Sequence, residues 1–367
     1  MRIGIDARLY GLEHAGIGRY VMNLVDRLIQ DPTHQWVLFV SPHYVPKFTD
    51  HPNVAVIPTT VRHYSLEEQI VFLRILNQEK LDLLHVPHFN VPLLYRRPFV
   101  VTIHDILWHQ IRGGSVTTLP PLLYYAKYAG YLLTVRHAIL AARTVFVPSN
   151  HVRDDITHAF PSLNQKKIMV TYEGIDKWHG SGLSKPFRTT SNQLMYIGSA
   201  YPHKNISTLL QALAILRATD HPELRLVIVG SRSVFLDAVK QEVIDRGLTN
   251  AVKFAGYQTD AAVKELLRQS ICLVHPSKSE GFGLTGLEAM AVGTPVIAAK
   301  ATALPEIYAD AALYFNPDKP SDLAKKIHTL ITTPSQQEQL IQRGFARVKQ
   351  FSWESMVSKT KDAYSQI

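Results

Sequence analysis

Short apolar runs closed by Pro, Asp or Asn recur along this chain in two series, with amphipathic stretches between them. Ile3–Ala7, Trp36–Val40, Val54–Ile57, Leu83–Val86, Val100–Ile103 and Val145–Pro148 make the first series. Leu194–Ile197, Leu226–Val229, Val252–Ala255, Ile271–His275 and Val296–Ala299 make the second. Runs that are apolar at nearly every position, rather than at alternate ones, suit strands buried on both faces. The stretches between them carry helical spacing. In Ile17–Ile29, Tyr20, Leu24 and Leu28 recur every four residues beside Val21, Val25 and Ile29, and Asp31-Pro32 ends the pattern. Strands alternating with helices predict parallel sheets joined by right-handed crossovers, and two series predict two doubly wound α/β domains facing a cleft. The boundary falls at residues 1–172 and 173–351, next to a Gly-, Ser-, Lys- and Thr-rich loop over Gly174–Asn192, and a terminal helix over 352–367 packs back on the first domain.

A length of 367 residues accommodates two such domains, and 46% hydrophobic with 19% charged residues excludes wholesale disorder. The net charge of +9 is spread along the chain: residues 1–172 hold 17 Lys and Arg against 12 Asp and Glu, and residues 173–367 hold 22 against 18. Neither half is a basic arm for nucleic acid. Twelve of the 17 histidines precede residue 173, so the first half is expected to gain charge in mild acid. The one cysteine, Cys272 in an apolar run, reads as a core residue and points to a reducing, cytoplasmic setting. No apolar signal segment follows MRIGIDARLY, and Leu119–Ala142 is interrupted by Lys127, Arg136 and His137, which makes it a poor membrane span. The aromatic and basic stretch Leu122–Arg136 reads first as a core helix. The competing reading is peripheral association with the inner face of the cell membrane.

The segment richest in chemistry is His275-Pro-Ser-Lys-Ser-Glu280-Gly-Phe-Gly283-Leu-Thr-Gly-Leu-Glu288. A buried strand ends, a loop of small residues follows, and a helix starts near Leu284 or Thr285. Ligands of open α/β sheets bind at the carboxyl ends of strands, and a helix start offers amide N–H groups to phosphate. Glu280 and Glu288 would flank that phosphate site, where a carboxylate can accept hydrogen bonds from sugar hydroxyls. A capping acid plus a solvated one is the competing reading. Lys204, in Tyr196-Ile-Gly198-Ser-Ala-Tyr-Pro-His-Lys204-Asn205, follows another strand and can neutralise a departing diphosphate, or be a plain surface charge. Gly16 and Gly18 lie in a Gly-rich turn that opens a helix. That turn lacks the third glycine of a dinucleotide loop, since Val21 stands there, and a mere tight turn would explain it equally well. His104 and Asp105 end a strand in TIHD, where a structural histidine is the ordinary expectation.

EGFGLTGLE resembles the E-x(7)-E signature of retaining glycosyltransferases of family 4 (glycosyl transferases group 1). Companion segments run in order along nearly the whole chain: GIGRY at 16–20, TIHD at 102–105, FVPSNHVRDD at 146–155, YIGSAYPHKN at 196–205 and LPE at 304–306. The resemblance implies the GT-B architecture, two Rossmann-like domains, with the acceptor on the first and a nucleotide-diphospho-sugar on the second. It implies that Glu288 holds the ribose, that Glu280 contacts the donor sugar, and that the backbone over Phe282, Gly283, Leu284 and Thr285 faces sugar and diphosphate. Lys204 becomes the cation on the leaving diphosphate, Gly16 and Gly18 approach the donor phosphates or acceptor, and His104 lies by the donor sugar with Asp105 in support. Family members often carry an arginine in the Lys204 loop. Here Ser199 and His203 occupy those positions, leaving open whether one cation or two grip the phosphates.

The GxGRY, TIHD and PxKN forms are most similar to the branch of bacterial mannosyltransferases that build surface polysaccharides. The activity implied is retaining transfer of a hexose, mannose from GDP-mannose, to a glycan or lipid-linked acceptor. Front-face attack is the family's usual explanation for retention. Alternatives are another GT-B activity, such as a sugar-nucleotide epimerase or a phosphorylase, and a catalytically silent sugar-binding partner. No metal is expected: His85 and His88 lack a carboxylate partner, and the chain contains no Asp-x-Asp. Glu306 reads as a helix-start acid.

Overall fold

The computed structural model describes residues 1–111, 117, 119–175, 192–230 and 234–367, so most of the loop expected over Gly174–Asn192 lies outside the described residues. Two compact units emerge. One joins Met1–Gln110, Leu119–Gly174 and Ser352–Ile367, and the other is built on Ile175–Phe351.

The first unit holds a parallel sheet of β1 (Arg2–Asp6), β2 (Gln35–Val40), β3 (Val54–Pro58), β4 (Leu83–Val86), β5 (Phe99–Thr102), β6 (Val145–Val147) and β7 (Ile168–Val170), in the order β3-β2-β1-β4-β5-β6-β7. Ile3 and Ile5 of β1 face one layer, with Tyr20, Leu24 and Leu28 of the helix Ala15–Leu28. Val37, Phe39, Leu84 and Val86 face the other. Both faces are covered, which is why these strands are apolar throughout. The C-terminal helix Trp353–Tyr364 belongs to this unit: Trp353 and Tyr364 are fully buried, and the Ser352 hydroxyl accepts a hydrogen bond from the Ser355 amide at 3.1 Å as its N-cap. Its docking demands a glycine, because a Cβ at Gly174 would lie 2.1 Å from the Trp353 nitrogen. Tyr364 also hydrogen-bonds His85 Nδ1; His85 Nε2 meets the Thr102 hydroxyl at 2.9 Å, and Thr102 meets Tyr20 at 2.9 Å.

The second unit holds β8 (Gln193–Ile197), β9 (Arg225–Val229), β10 (Val252–Gly256), β11 (Cys272–His275), β12 (Val296–Ala299) and β13 (Ala312–Phe315), all parallel, in the order β10-β9-β8-β11-β12-β13. The order reverses between β8 and β11, the switch point at which such sheets bind ligands. Cys272 is buried at the start of β11. The outer strands β7 and β13 were not legible in the sequence. Each is short and half-buried at an edge, so neither reads as a continuous apolar run.

Burial narrows one expectation. His85 and His88 are buried, and that burial, with His104 nearby, pushes each ring down to about 3, so neither gains charge in mild acid within the folded chain. The helix Pro121–Ala141 buries Tyr124, Tyr128, Val135, Ala138 and Ile139 but exposes Leu122, Tyr125 and Leu133. Among the described residues, no helix is long and apolar enough to cross a membrane.

Candidate functional site

Two loops at the switch point of the second sheet are tied together. The loop after β8 enters a short turn, Pro202–Lys204, and then Asn205 in the left-handed region (φ 57°) before the helix Ile206–Ala218. The Asn205 amide donates to the carbonyls of Pro276 (3.1 Å) and Pro317 (2.9 Å), and the Lys278 N–H donates to the His203 carbonyl at 2.8 Å. This lacing brings Lys204 to the loop after β11, where its Nζ lies 2.8 Å from Glu280 Oε1. Glu280 is fixed from below as well: His275 Nε2 is 2.8 Å from the same oxygen, and the Glu280 N–H donates to the Thr302 hydroxyl at 3.0 Å. Burial opposes ionisation of Glu280, but Lys204 and His275 outweigh it and hold the carboxyl well below the usual carboxylate range. Ser199 offers its carbonyl to the Tyr196 hydroxyl at 2.7 Å, and the His203 ring stacks on Tyr201.

The helix Leu284–Ala291 begins beyond Glu280. Its N-cap is Gly283 at φ 101°, where a Cβ would also stand 2.6 Å from the Tyr308 hydroxyl. A glycine cap supplies no side-chain acceptor, and the first-turn amides of Leu284 and Thr285 have no intrahelical acceptor by construction. The helix start therefore presents donors suited to an anion, four residues along the chain from the Glu280 that holds the Lys204 ammonium. The Phe282 ring is buried edge-on against Phe351, which leaves its backbone as the part able to meet a ligand. Glu288 is buried one turn into the helix.

The remaining residues singled out in the sequence belong to the first unit. Gly16 and Gly18 sit within the first turns of the helix Ala15–Leu28 rather than in a loop before it. A Cβ at Gly18 would stand 1.8 Å from the Gly11 carbonyl oxygen, while Gly16 is open, with no atom within 4 Å of such a carbon. Close packing onto Gly11 thus explains Gly18 without a ligand. His104 follows β5 with Nδ1 3.4 Å from Glu173 Oε1, Nε2 3.2 Å from the Pro87 carbonyl, and its ring edge-on to Tyr20. Asp105 accepts from the Leu107 N–H at 3.0 Å, the contact of a helix-start acid. Glu306 lies in the short helix Leu304–Tyr308. His88 Nδ1 is 2.6 Å from Asn90 Oδ1, and among the described residues no group of three or more His, Cys, Asp or Glu is placed to hold a metal.

Sequence reasoning did not assign roles to Glu173, His275, Thr302 or Tyr308. Only His275 carried a signal, as the last residue of a buried strand at the ligand-binding edge. Thr302 and Tyr308 reach the site of the second unit from later segments, while Glu173 meets His104 within the first unit.

Residues 184–347 match the family model described as Glycosyl transferases group 1, and residues 14–178 match the model of Glycosyltransferase Family 4. The chain is 28% identical over 375 residues to O-antigen chain mannosyltransferase B of Escherichia coli, spanning 95% of each chain. It is 29% identical over 231 residues to O-antigen chain mannosyltransferase RfbU of Salmonella typhimurium, covering 63% of this chain and 60% of that one. Among solved structures, Anabaena HepE in complex with UDP-glucose superposes with a TM-score of 0.77 at 19% identity, over 100% of this chain and 99% of that one. WaaG, a glycosyltransferase involved in lipopolysaccharide biosynthesis, gives 0.76 at 16% identity over 99% of both.

Proposed function

Taking as premise that this chain belongs to the glycosyl transferases group 1 family and is a glycosyltransferase of the GT-B type, we propose that it transfers mannose, with retention, from GDP-mannose to a glycan or lipid-linked acceptor in surface polysaccharide synthesis. The observation that carries this reading is the Lys204 ammonium fixed on Glu280 at the sheet's switch point, in the loop that runs on to the helix start at Leu284, where no side chain caps the amides. Lys204 and the amides of Leu284 and Thr285 take the diphosphate, stabilising the charge that grows on it as the glycosidic bond breaks. Glu288 accepts from the ribose hydroxyls and Glu280 from the sugar, while His104 of the first unit serves the donor sugar. Departing phosphate takes the acceptor proton in a front-face attack. No step in this scheme calls on a metal. The mannosyltransferase names of the two bacterial relatives support the choice of sugar.

Thermal stabilisation against GDP-, UDP- and ADP-sugars tests the donor. GDP-mannose should give the largest rise in melting temperature together with acceptor-dependent release of GDP, and stabilisation by a UDP-sugar alone would overturn the choice. Glu288→Ala should weaken donor binding at least about tenfold, the cost of one charged hydrogen-bond acceptor, with the melting transition of the free protein retained. Wild-type affinity in that variant would remove Glu288 from the site.

The apolar face at Leu122, Tyr125 and Leu133, beside Lys127 and Arg136, supports peripheral membrane association in service of a lipid-linked acceptor. Flotation with vesicles containing anionic lipid should recover the protein, and Leu122→Ser with Tyr125→Ser should abolish recovery. Flotation indifferent to anionic lipid and to both changes would retire the idea.

A further inference from the structure

We propose that His275 is the positioning residue of the donor pocket, a doubly protonated imidazole that holds Glu280 and stands as a second cation with Lys204. The inference rests on the reading of Lys204 as the partner of the diphosphate.

Its warrant is a count of protons. The Tyr308 hydroxyl lies 2.5 Å from the Gly283 carbonyl, which can only accept, so the single phenolic proton is committed there. Burial and the nearby Glu280 charge push that phenol well above its ordinary value, so the proton is present to donate. The phenolic oxygen, 2.8 Å from His275 Nδ1, can then only accept, and Nδ1 must carry a proton. On the other side Nε2 faces Glu280 Oε1 at 2.8 Å. That oxygen also accepts from Lys204, whose charge favours the ionised carboxyl, so it has no proton to give back. A bare Nε2 lone pair would be aimed at a carboxylate in a site where His275 is 5% exposed. Both ring nitrogens therefore donate.

The consequence is electrostatic. Lys204 and Glu280 alone would form a neutral pair, and an incoming diphosphate would meet no net attraction there. With the imidazolium added, two cations share one carboxylate and one positive charge is left over for the phosphates. Three separate segments bring these groups together: Lys204 comes from the loop after β8, Glu280 from the loop after β11, and Tyr308 from the helix Leu304–Tyr308. Tyr196 on β8, Tyr314 on β13 and Glu288 on the helix Leu284–Ala291 are the other titratable groups whose charges act together with Glu280 or Tyr308.

The test reads the ring directly in the full-length protein. With 15N-labelled histidine, long-range 1H–15N spectra at pH 7.5 should show both nitrogens of His275 protonated, the signal being assigned by its loss in His275→Gln. The pattern should shift toward a neutral tautomer in Glu280→Gln. A neutral ring in the wild-type protein would overturn the inference. Binding of GDP and UDP by calorimetry supplies the second readout: the nucleotide that binds wild-type protein should bind His275→Gln about tenfold more weakly, and Tyr308→Phe should move affinity in the same direction. Unchanged affinity in a folded His275→Gln protein would also overturn it. Should neither nucleotide bind the wild-type protein, the proposed function fails, while the protonation of the ring in the spectra still decides the state of His275.

Discussion

Lys204→Ala is expected to lower donor turnover by about 10²- to 10³-fold, the usual loss when one preorganised group facing developing charge is removed. The ammonium is held by Glu280 at 2.8 Å and by a loop whose position depends on Asn205 and Lys278, so its geometry is set before any ligand arrives. Preorganisation is what makes such a charge effective in the transition state, because nothing must reorganise as the bond breaks. Folding should survive the change, since Glu280 keeps its contact with His275 and its backbone bond to Thr302. Arginine at 204 should rescue only part of the activity: a broad fork cannot take the place of a compact ammonium held on Glu280. Steady-state release of the nucleotide from GDP-mannose measures the effect. Turnover in Lys204→Ala within a factor of about three of the wild type would remove Lys204 from the chemistry.

Acidification is expected to unfold the first unit ahead of the second, with a loss on the order of 5 kcal/mol between pH 6.5 and 4.5. His85 and His88 have an ordinary value of 6.5 that folding lowers to about 3. Below pH 6.5 the unfolded chain takes up a proton on each ring that the folded chain refuses. Stability is therefore whole above that pH and falls as pH drops toward the folded values, at roughly 1.4 kcal/mol per pH unit per ring. Two rings over two pH units give the figure above, which matches the lower end of a typical domain's total stability. Glu280 in the second unit behaves differently. Its carboxyl is held low by its cationic partners, so its contribution is lost only as pH falls through and below the ordinary carboxylate range. Trp36 and Trp353, both buried in the first unit, report its unfolding by fluorescence. A transition near pH 4 to 5 is expected, displaced to lower pH in His88→Gln. Stability unchanged down to pH 4.5 would contradict the buried, neutral state of these rings.

The parallel sheets were legible because their strands are buried on both faces, and burial of that kind writes itself as an unbroken apolar run. Leu83–Val86 and Val296–Ala299 carry the same bounds in sequence and structure. The edge strands Ile168–Val170 and Ala312–Phe315 left no such record, since an edge needs only part of one face covered. The helix at Leu284 was announced by its glycines, which are needed for a left-handed cap and close packing on Tyr308. At Gly18 the same local signal has a packing reason as well, since a Cβ there would meet the Gly11 carbonyl.

By itself, then, the sequence determined the two series of strands and helices, the glycines at their turns, and the family motifs with Lys204, Glu280 and Glu288. These are properties of neighbouring residues, and spacing along the chain records them. Tertiary structure alone decided the protonation and company of those groups. Lys204 meets Glu280 across 76 residues, His275 meets Tyr308 across 33, and His85 meets Tyr364 across 279. Charge state in such places depends on burial and on which donors and acceptors surround a group, and the chain brings those together only when it folds.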